Sequence, residues 1–69
     1  MKFNYSKLLG KMRERGFTQE KLATAIGISE SSLNAKLNNK VFFTSKEICG
    51  ICGILSIPTE DIGVYFYTH

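Results

Sequence analysis

The sequence predicts an all-α fold, a compact bundle of about five short helices with a helix-turn-helix at residues 18–38. Apolar residues recur at helical spacing, N-capping residues precede these runs, and glycine follows several of them. The chain has 69 residues, of which 43% are hydrophobic and one is proline. We therefore expect one small globular domain, residues 1–69.

The first helix is predicted to start at Asn4 or Ser6, either of which can cap it, and to end at Gly16. Its apolar residues share one face: Tyr5, Leu8, Leu9 and Met12. Phe17 is expected to enter the core just after this helix.

The second helix is predicted to begin after Thr18, a good N-cap, and to stop at Gly27, which suits a left-handed turn. Its inner face holds Leu22, Ala23 and Ile26. Ser29 then caps a third helix.

The third helix has a small, polar outer face. If Leu33 and Leu37 define its buried side, the turn of 100° per residue fixes which residues point outward. These are Ser31, Ala35 and Asn38, flanked by Ser32 and Asn34. Such a face can approach the floor of a DNA major groove, or it can be the ordinary outer side of an amphipathic helix, and both interpretations stay open.

A capping box marks the start of a fourth helix, because Thr44 is followed three residues later by Glu47. The preceding Val41-Phe42-Phe43 stretch is expected to be a loop that pins one or two aromatic rings into the core. Ile54 falls outside the inner face of this helix, which consists of Ile48, Ile51, Cys52 and Leu55.

Pro58 suits the first turn of a fifth helix, which is predicted to run to Tyr65 or Phe66. The carboxylates of Glu60 and Asp61 complement the positive end of its dipole. If its apolar side faces the core, three large apolar side chains remain exposed at this end of the chain: Ile54, Val64 and Tyr67. Such a patch suits an interface with a second copy or with another protein.

Charge is unevenly distributed along the chain, whose formal net charge is +3. All nine Lys and Arg residues lie between Lys2 and Lys46. Residues 1–46 also contain three acidic residues, so their net charge is +6. Residues 47–69 contain the other three acidic residues and have a net charge of −3. A polyanion would be attracted to the first part, and a protein partner suits the second.

The two cysteines, Cys49 and Cys52, form a C-x-x-C pair, but a structural zinc site needs four ligands and only His69 could add one. Free thiols are the better interpretation, with a site shared across a dimer as the alternative. We expect no metal, no cofactor, no catalytic site and no small-molecule substrate, and therefore no enzyme. The absence of a long apolar run or signal sequence predicts a cytosolic protein without a membrane partner.

Several segments resemble the phage Cro/CI-type repressors, also called the XRE family. The likeness is carried by Thr18 to Ala23, Gly27 to Ser29, Leu33 and Leu37 to Lys40. A looser likeness of Met1 to Leu8 and Ile57 to Ile62 is to small Cro-like regulators from phages of Gram-positive bacteria. The resemblance implies a lambda-repressor-like DNA-binding domain, acting as a dimeric regulator of a phage or prophage switch on double-stranded operator DNA in the bacterial host cytosol.

The same resemblance implies site residues on the helix-turn-helix. The base-reading residues would be Glu30, Ser31, Ser32, Asn34 and Ala35. The phosphate-binding residues would be Thr18, Gln19, Ser29, Lys36, Asn38, Asn39 and Lys40. Physical chemistry agrees, since Gln19 stands at a helix N-terminus and Lys36 and Lys40 supply positive charge.

Glu30 departs from the family pattern, which has an uncharged or basic residue there. Its carboxylate can accept a hydrogen bond from cytosine N4, or it can be repelled by phosphates. The second possibility leads to an alternative function: an anti-repressor or modulator that binds the phage lysogeny repressor. In that interpretation either the exposed patch of Ile54, Val64 and Tyr67 or the third helix itself contacts the repressor.

Overall fold

Five α-helices and one short 3-10 helix make up the computed structural model, which describes residues 2–69. They are α1 (Ser6–Glu14), α2 (Gln19–Ile26), α3 (Glu30–Leu37), α4 (Ser45–Leu55), the 3-10 helix (Thr59–Asp61) and α5 (Ile62–Phe66). No strand occurs within residues 2–69, so the all-α prediction is confirmed. Met1, where the N-terminal resemblance begins, lies outside the described residues.

Three helices begin at the side-chain caps that the sequence predicts. The hydroxyls of Thr18, Ser29 and Thr44 accept hydrogen bonds from the backbone N–H groups of Lys21, Ser32 and Glu47, each at 3.1 Å. At α4 the capping box is complete, because the Glu47 carboxylate accepts a bond from the Thr44 N–H at 2.9 Å. These caps fix where α2, α3 and α4 start.

The start of α1 and the fifth helix differ from prediction. The N-cap position of α1 is Tyr5, whose side chain makes no capping bond, while the Asn4 side chain accepts from the Ser6 N–H at 2.9 Å. Pro58 stands before the helical segment as the cap of the 3-10 turn, and α5 itself begins only at Ile62.

The helices α1 to α4 all end in the same way. A left-handed residue follows each helix: Gly16 (φ 75°), Gly27 (φ 80°), Asn39 (φ 63°) and Ser56 (φ 56°). The next N–H donates to the carbonyl five residues earlier, in the pairs Phe17 to Met12, Ile28 to Ala23, Lys40 to Ala35 and Ile57 to Cys52. This arrangement satisfies helix-terminal carbonyls and turns the chain sharply, which is how five helices fit into so short a sequence.

The core lies between α1, α2 and α3 on one side and α4 and α5 on the other. Its buried apolar residues are Tyr5, Leu8, Met12, Leu22, Ala23, Leu33, Ile48, Ile51, Cys52, Leu55, Ile57 and Phe66. Phe17 and Phe43 pack half-buried at its edge. Ile54 is also half-buried against the core, because α4 has α2 and α5 as neighbours and so buries more than one face.

No single helix within residues 2–69 is long and apolar enough to cross a membrane. Only α4 taken together with residues 59–66 reaches that length and apolarity, and this pair is bent by 118°. Its largest apolar side chains, Ile51, Leu55 and Phe66, are core residues of the bundle.

Candidate protein-binding surface

An aromatic groove opens where the two ends of the chain meet the loop before α4. The Phe3 ring forms one wall, with its centroid 5.6 Å from that of Tyr67 and 6.3 Å from that of Phe42. The groove has a volume of about 280 Å³ and is lined by Phe3, Tyr5, Phe42, Phe43, Ile48, Phe66 and Tyr67. An apolar cleft of this size accepts one or two bulky side chains of a partner.

Within residues 2–69, two of the four exposed large apolar side chains line this groove. The four are Phe42 (74% exposed), Val41 (52%), Tyr67 (52%) and Val64 (40%). Phe42 and Tyr67 line the groove itself, Val41 adjoins Phe42 in sequence, and Val64 lies one turn before Tyr67. Exposed aromatic side chains beside an apolar concave surface are typical of a protein interface.

The floor of the groove consists of aromatic rings that pack edge to face. The Tyr5 and Phe43 rings meet edge to face at 5.5 Å, and Phe43 meets Phe66 in the same way at 5.4 Å. Burial raises the pKa of the Tyr5 hydroxyl, and the nearby Tyr67 raises it further, so Tyr5 is neutral at physiological pH. The floor of the groove therefore rests on the buried Tyr5 and Phe66 rings and on the half-buried Phe43.

The three interface residues predicted from the sequence have different environments in the structure. Val64 and Tyr67 are exposed and Tyr67 lines the groove, whereas Ile54 packs half-buried against the core. The sequence interpretation missed Phe3 and Phe42. The stretch Val41-Phe42-Phe43 could have indicated an exposed aromatic residue, since a short loop cannot bury three consecutive apolar side chains.

The outer face of α2 and α3 carries most of the residues predicted to contact DNA. Gln19, Glu30, Ser31 and Asn34 border a shallow depression there. The Asn34 amide donates to the Gln19 side chain at 3.3 Å, and the Asn38 amide donates to the Asn34 side chain at 3.0 Å and to its carbonyl at 2.9 Å. These amides are thus hydrogen-bonded to one another.

The hydroxyls at the start of α3 are paired locally as well. The Ser29 hydroxyl donates to that of Ser32 at 2.9 Å and lies 3.3 Å from that of Ser31. Ala35 is half-buried, so its methyl group does not project freely from the face. Among the predicted base-reading residues, those that the structure leaves exposed are Glu30, Ser31, Ser32 and Asn34.

Lys36, predicted to contact phosphate, points into the protein instead. Only 8% of it is exposed, and its ammonium lies 3.4 Å from the Glu47 carboxylate of α4. Burial raises the pKa of Glu47, but hydrogen bonds from Thr44 and the charge and hydrogen bond of Lys36 outweigh this, so the net pKa is lowered. The charge of Lys36 is therefore neutralised inside the bundle.

Asn39 and Lys40, also predicted to contact phosphate, lie in different settings. The Asn39 side chain is part-buried and hydrogen-bonded to the backbone of Phe3. Lys40 is exposed, and the described part of the chain gives it no ion pair. Of the two lysines expected at the edge of a DNA groove, only Lys40 keeps its charge in solvent.

We expect Glu47→Gln to destabilise the fold by about 1–3 kcal/mol at neutral pH, because it leaves the Lys36 ammonium buried without its counter-charge. Glutamine keeps the capping geometry of α4, so the change isolates the charge. The stability from the pair is complete above the ordinary Glu pKa of 4.5 and is lost as the pH falls through the lowered folded-state pKa. Urea unfolding of wild type and variant at pH 7 and pH 3 measures both effects.

The matched control is Glu14→Gln, which removes an exposed carboxylate 3.3 Å from Lys11. Such a surface pair contributes only about 0.2–1 kcal/mol. Equal destabilisation by the two variants would contradict the buried role of the Lys36–Glu47 pair.

The two thiols differ in environment. Cys49 is exposed and Cys52 is buried, and both are free. Burial raises the pKa of the Cys52 thiol, and the neighbouring Cys49 raises it further. In the part of the chain that the structure describes, no three His, Cys, Asp or Glu side chains are grouped so that they could hold a metal ion.

Comparison with known proteins relates the chain to a protein family and to a solved structure. The model of a family described as protein of unknown function (DUF739) matches residues 1–69. The structure is similar to the solution structure of the modulator of repression (MOR) of the temperate bacteriophage TP901-1 from Lactococcus lactis, with a TM-score of 0.81 and 40% sequence identity over 97% of this chain and 90% of that one. A comparison with curated proteins finds no match.

These matches correct the sequence interpretation. The assignment to the Cro/CI-type XRE family is wrong, and so is the main functional prediction of a Cro-like DNA-binding regulator. The residues that suggested that family, such as Leu22, Gly27 and Leu33, pack or terminate helices. They specify the packing of this helical bundle, and a fold does not by itself determine an activity.

Proposed function

This chain belongs to the DUF739 family, and we propose that it is a modulator of phage repression that acts by binding a repressor protein. The observation that carries the proposal is the likeness to the TP901-1 modulator of repression, at 40% identity across 97% of this chain. It favours the alternative derived from the sequence, a protein that binds the lysogeny repressor.

The exposed aromatic groove supports a protein partner. Phe42 and Tyr67 hold large apolar areas in water at its mouth, and covering them is favourable by about 25 cal/mol per Å² of apolar surface removed from solvent. Aromatic side chains in well-packed pockets are the residues that most often dominate binding energies at protein interfaces. We assign the repressor contact to this groove and its exposed neighbours Val41 and Val64.

The charges of α2 and α3 also favour a protein partner over a phosphate backbone. Glu20 and Glu30 are exposed in the first turns of the two helices, where their carboxylates oppose a polyanion. Lys21 is exposed, but Lys36 is withdrawn into its pair with Glu47. Because affinity for DNA grows with the number of phosphates neutralised, a face whose exposed cations are Lys21 and, just beyond α3, Lys40 attracts an operator weakly.

Binding a repressor is sufficient to modulate repression. A complex between this chain and the repressor lowers the concentration of free repressor, or gives the bound repressor a different affinity for its operators. By linkage, a tenfold change in operator affinity corresponds to about 1.4 kcal/mol of coupling between the two binding events.

The test is titration calorimetry of the purified chain with the lysogeny repressor encoded by the same phage or prophage, followed by gel-shift assays on its operators. We expect a saturable complex and a changed shift of operator by the repressor when this chain is added. The chain alone at physiological salt is expected to leave operator DNA unshifted. A repressor that neither binds the chain nor changes its operator affinity would overturn the proposal.

A further inference from the structure

We propose that Asn39 is a positioning residue of the repressor-binding surface, because its side chain holds Phe3 in place as a wall of the aromatic groove. The inference rests on the proposed function and adds to it a residue outside the groove that determines the groove's shape. Asn39 itself is not among the residues that line the groove.

The end of α3 requires a left-handed residue at Asn39 but does not require asparagine. Its φ is 63°, its N–H donates to the Lys36 carbonyl, and the next N–H donates to Ala35. Glycine adopts this conformation without steric cost, and it occupies the equivalent position after α1 and α2, at Gly16 and Gly27. The side chain of Asn39 is therefore free to serve a purpose other than ending the helix.

That side chain satisfies both backbone polar groups of Phe3. The Phe3 N–H donates to Asn39 Oδ1 at 2.7 Å, and Asn39 Nδ2 donates to the Phe3 carbonyl at 2.9 Å. One amide thus binds a residue 36 positions away with two part-buried hydrogen bonds. Removing the amide leaves the Phe3 backbone on this side without a protein partner.

The position of Phe3 determines the groove because its ring touches both exposed aromatic residues. Its centroid is 5.6 Å from Tyr67 and 6.3 Å from Phe42. The segment is also held at its other side, where the Asn4 N–H donates to the Thr68 carbonyl and the His69 ring lies 4.9 Å from that of Phe3. Without Asn39, these contacts with the C-terminal residues and the packing of the Phe3 ring still hold the segment, but the Phe3 backbone loses both of its bonds to a side chain.

Ordering the segment before the partner arrives affects affinity. If Phe3 were mobile in the free chain, binding would have to immobilise it, and the entropy lost would reduce the observed affinity. The two hydrogen bonds order Phe3 when the free chain folds, so this entropy is already lost before the partner binds. We expect their loss to weaken repressor binding about fivefold to thirtyfold, the effect of removing one or two net hydrogen bonds.

The test compares wild type, Asn39→Gly and Asn38→Ala. Glycine keeps the left-handed turn, so the fold should survive while both bonds to Phe3 are lost. Asn38→Ala is the matched control, because it deletes a neighbouring amide whose bonds stay within α3. For Asn39→Gly alone, we expect hydrogen exchange at the Phe3 amide to accelerate about tenfold or more and repressor affinity to fall.

A double-mutant cycle with Phe3→Ala identifies the route of the effect. If Asn39 acts through the Phe3 ring, Asn39→Gly should weaken repressor binding much less in the Phe3→Ala background than in wild type. Unchanged Phe3 exchange in Asn39→Gly, or released Phe3 with unchanged repressor affinity, would overturn the inference and leave the proposed function standing. A wild-type chain that binds no repressor would instead overturn the proposed function and, with it, this role of Asn39.

Discussion

The double variant Phe42→Asp, Tyr67→Asp should lose repressor binding by about 100-fold or more while remaining folded. Both side chains are more than half exposed, so the bundle does not depend on them for burial. Each change places a carboxylate at the mouth of an apolar groove, where a partner would have to desolvate it. Titration calorimetry with the repressor measures the loss, and circular dichroism with thermal unfolding checks the fold.

The matched control places the same two charges on the other candidate face, as Ser31→Asp and Asn34→Asp. Both residues are exposed on α3, next to the depression that they share with Gln19 and Glu30. We expect this variant to bind the repressor with nearly wild-type affinity. The reverse result, binding lost in the α3 variant and kept in the groove variant, would move the interface to the outer face of α2 and α3.

Phe66→Ala should destabilise the protein by about 3–5 kcal/mol, the usual range for truncating a buried phenylalanine. Phe66 is 1% exposed, lies in the core and packs edge to face on Phe43. For a domain this small, such a loss is comparable to the whole free energy of unfolding. Urea unfolding followed by circular dichroism is expected to show a largely unfolded variant at 37 °C.

Phe42→Ala is the control for this prediction, because it makes the same chemical change at a side chain that is 74% exposed. Its effect on the free energy of unfolding should stay within about 0.5 kcal/mol. Similar unfolding midpoints for the two variants would mean that the core does not depend on Phe66.

Local signals allowed much of the fold to be predicted. The N-caps at Thr18, Ser29 and Thr44 were identified from a few adjacent residues, because a cap bonds to an N–H only three positions away. The turn at Gly27 was predicted for the same reason, since its left-handed φ depends on the residue type at that position.

Contacts between distant residues could not be predicted in this way. Lys36 looked like a free cation because its partner Glu47 lies on another helix, and nothing in the pattern of α3 reveals where α4 packs. Asn39 looked like a phosphate contact because its bonds to Phe3 span 36 residues. Ile54 looked exposed because the periodicity of α4 was interpreted with one inner face, whereas the helix packs against α2 and α5.

The functional error has a similar cause. The motif residues that suggested DNA binding, such as Leu22, Gly27 and Leu33, pack or terminate α2 and α3, so they indicate the fold and not the activity. The burial of Lys36, which removes a cation from this face, depends on a contact with Glu47 that the sequence does not reveal. Glu30 was the residue in the sequence that pointed to the alternative function.

The packing of the two chain ends against each other determines when the groove can form during synthesis. The aromatic groove needs Phe3 and Tyr67 together, and the contact beside them, from Lys2 to His69, joins residues 67 positions apart. While residues 67–69 are still in the ribosome, the contacts of Phe3 with Tyr67 and of Lys2 with His69 cannot form, so the groove stays incomplete. The groove is completed only after translation has passed Tyr67, and a product truncated before this residue would lack one of the side chains that line it.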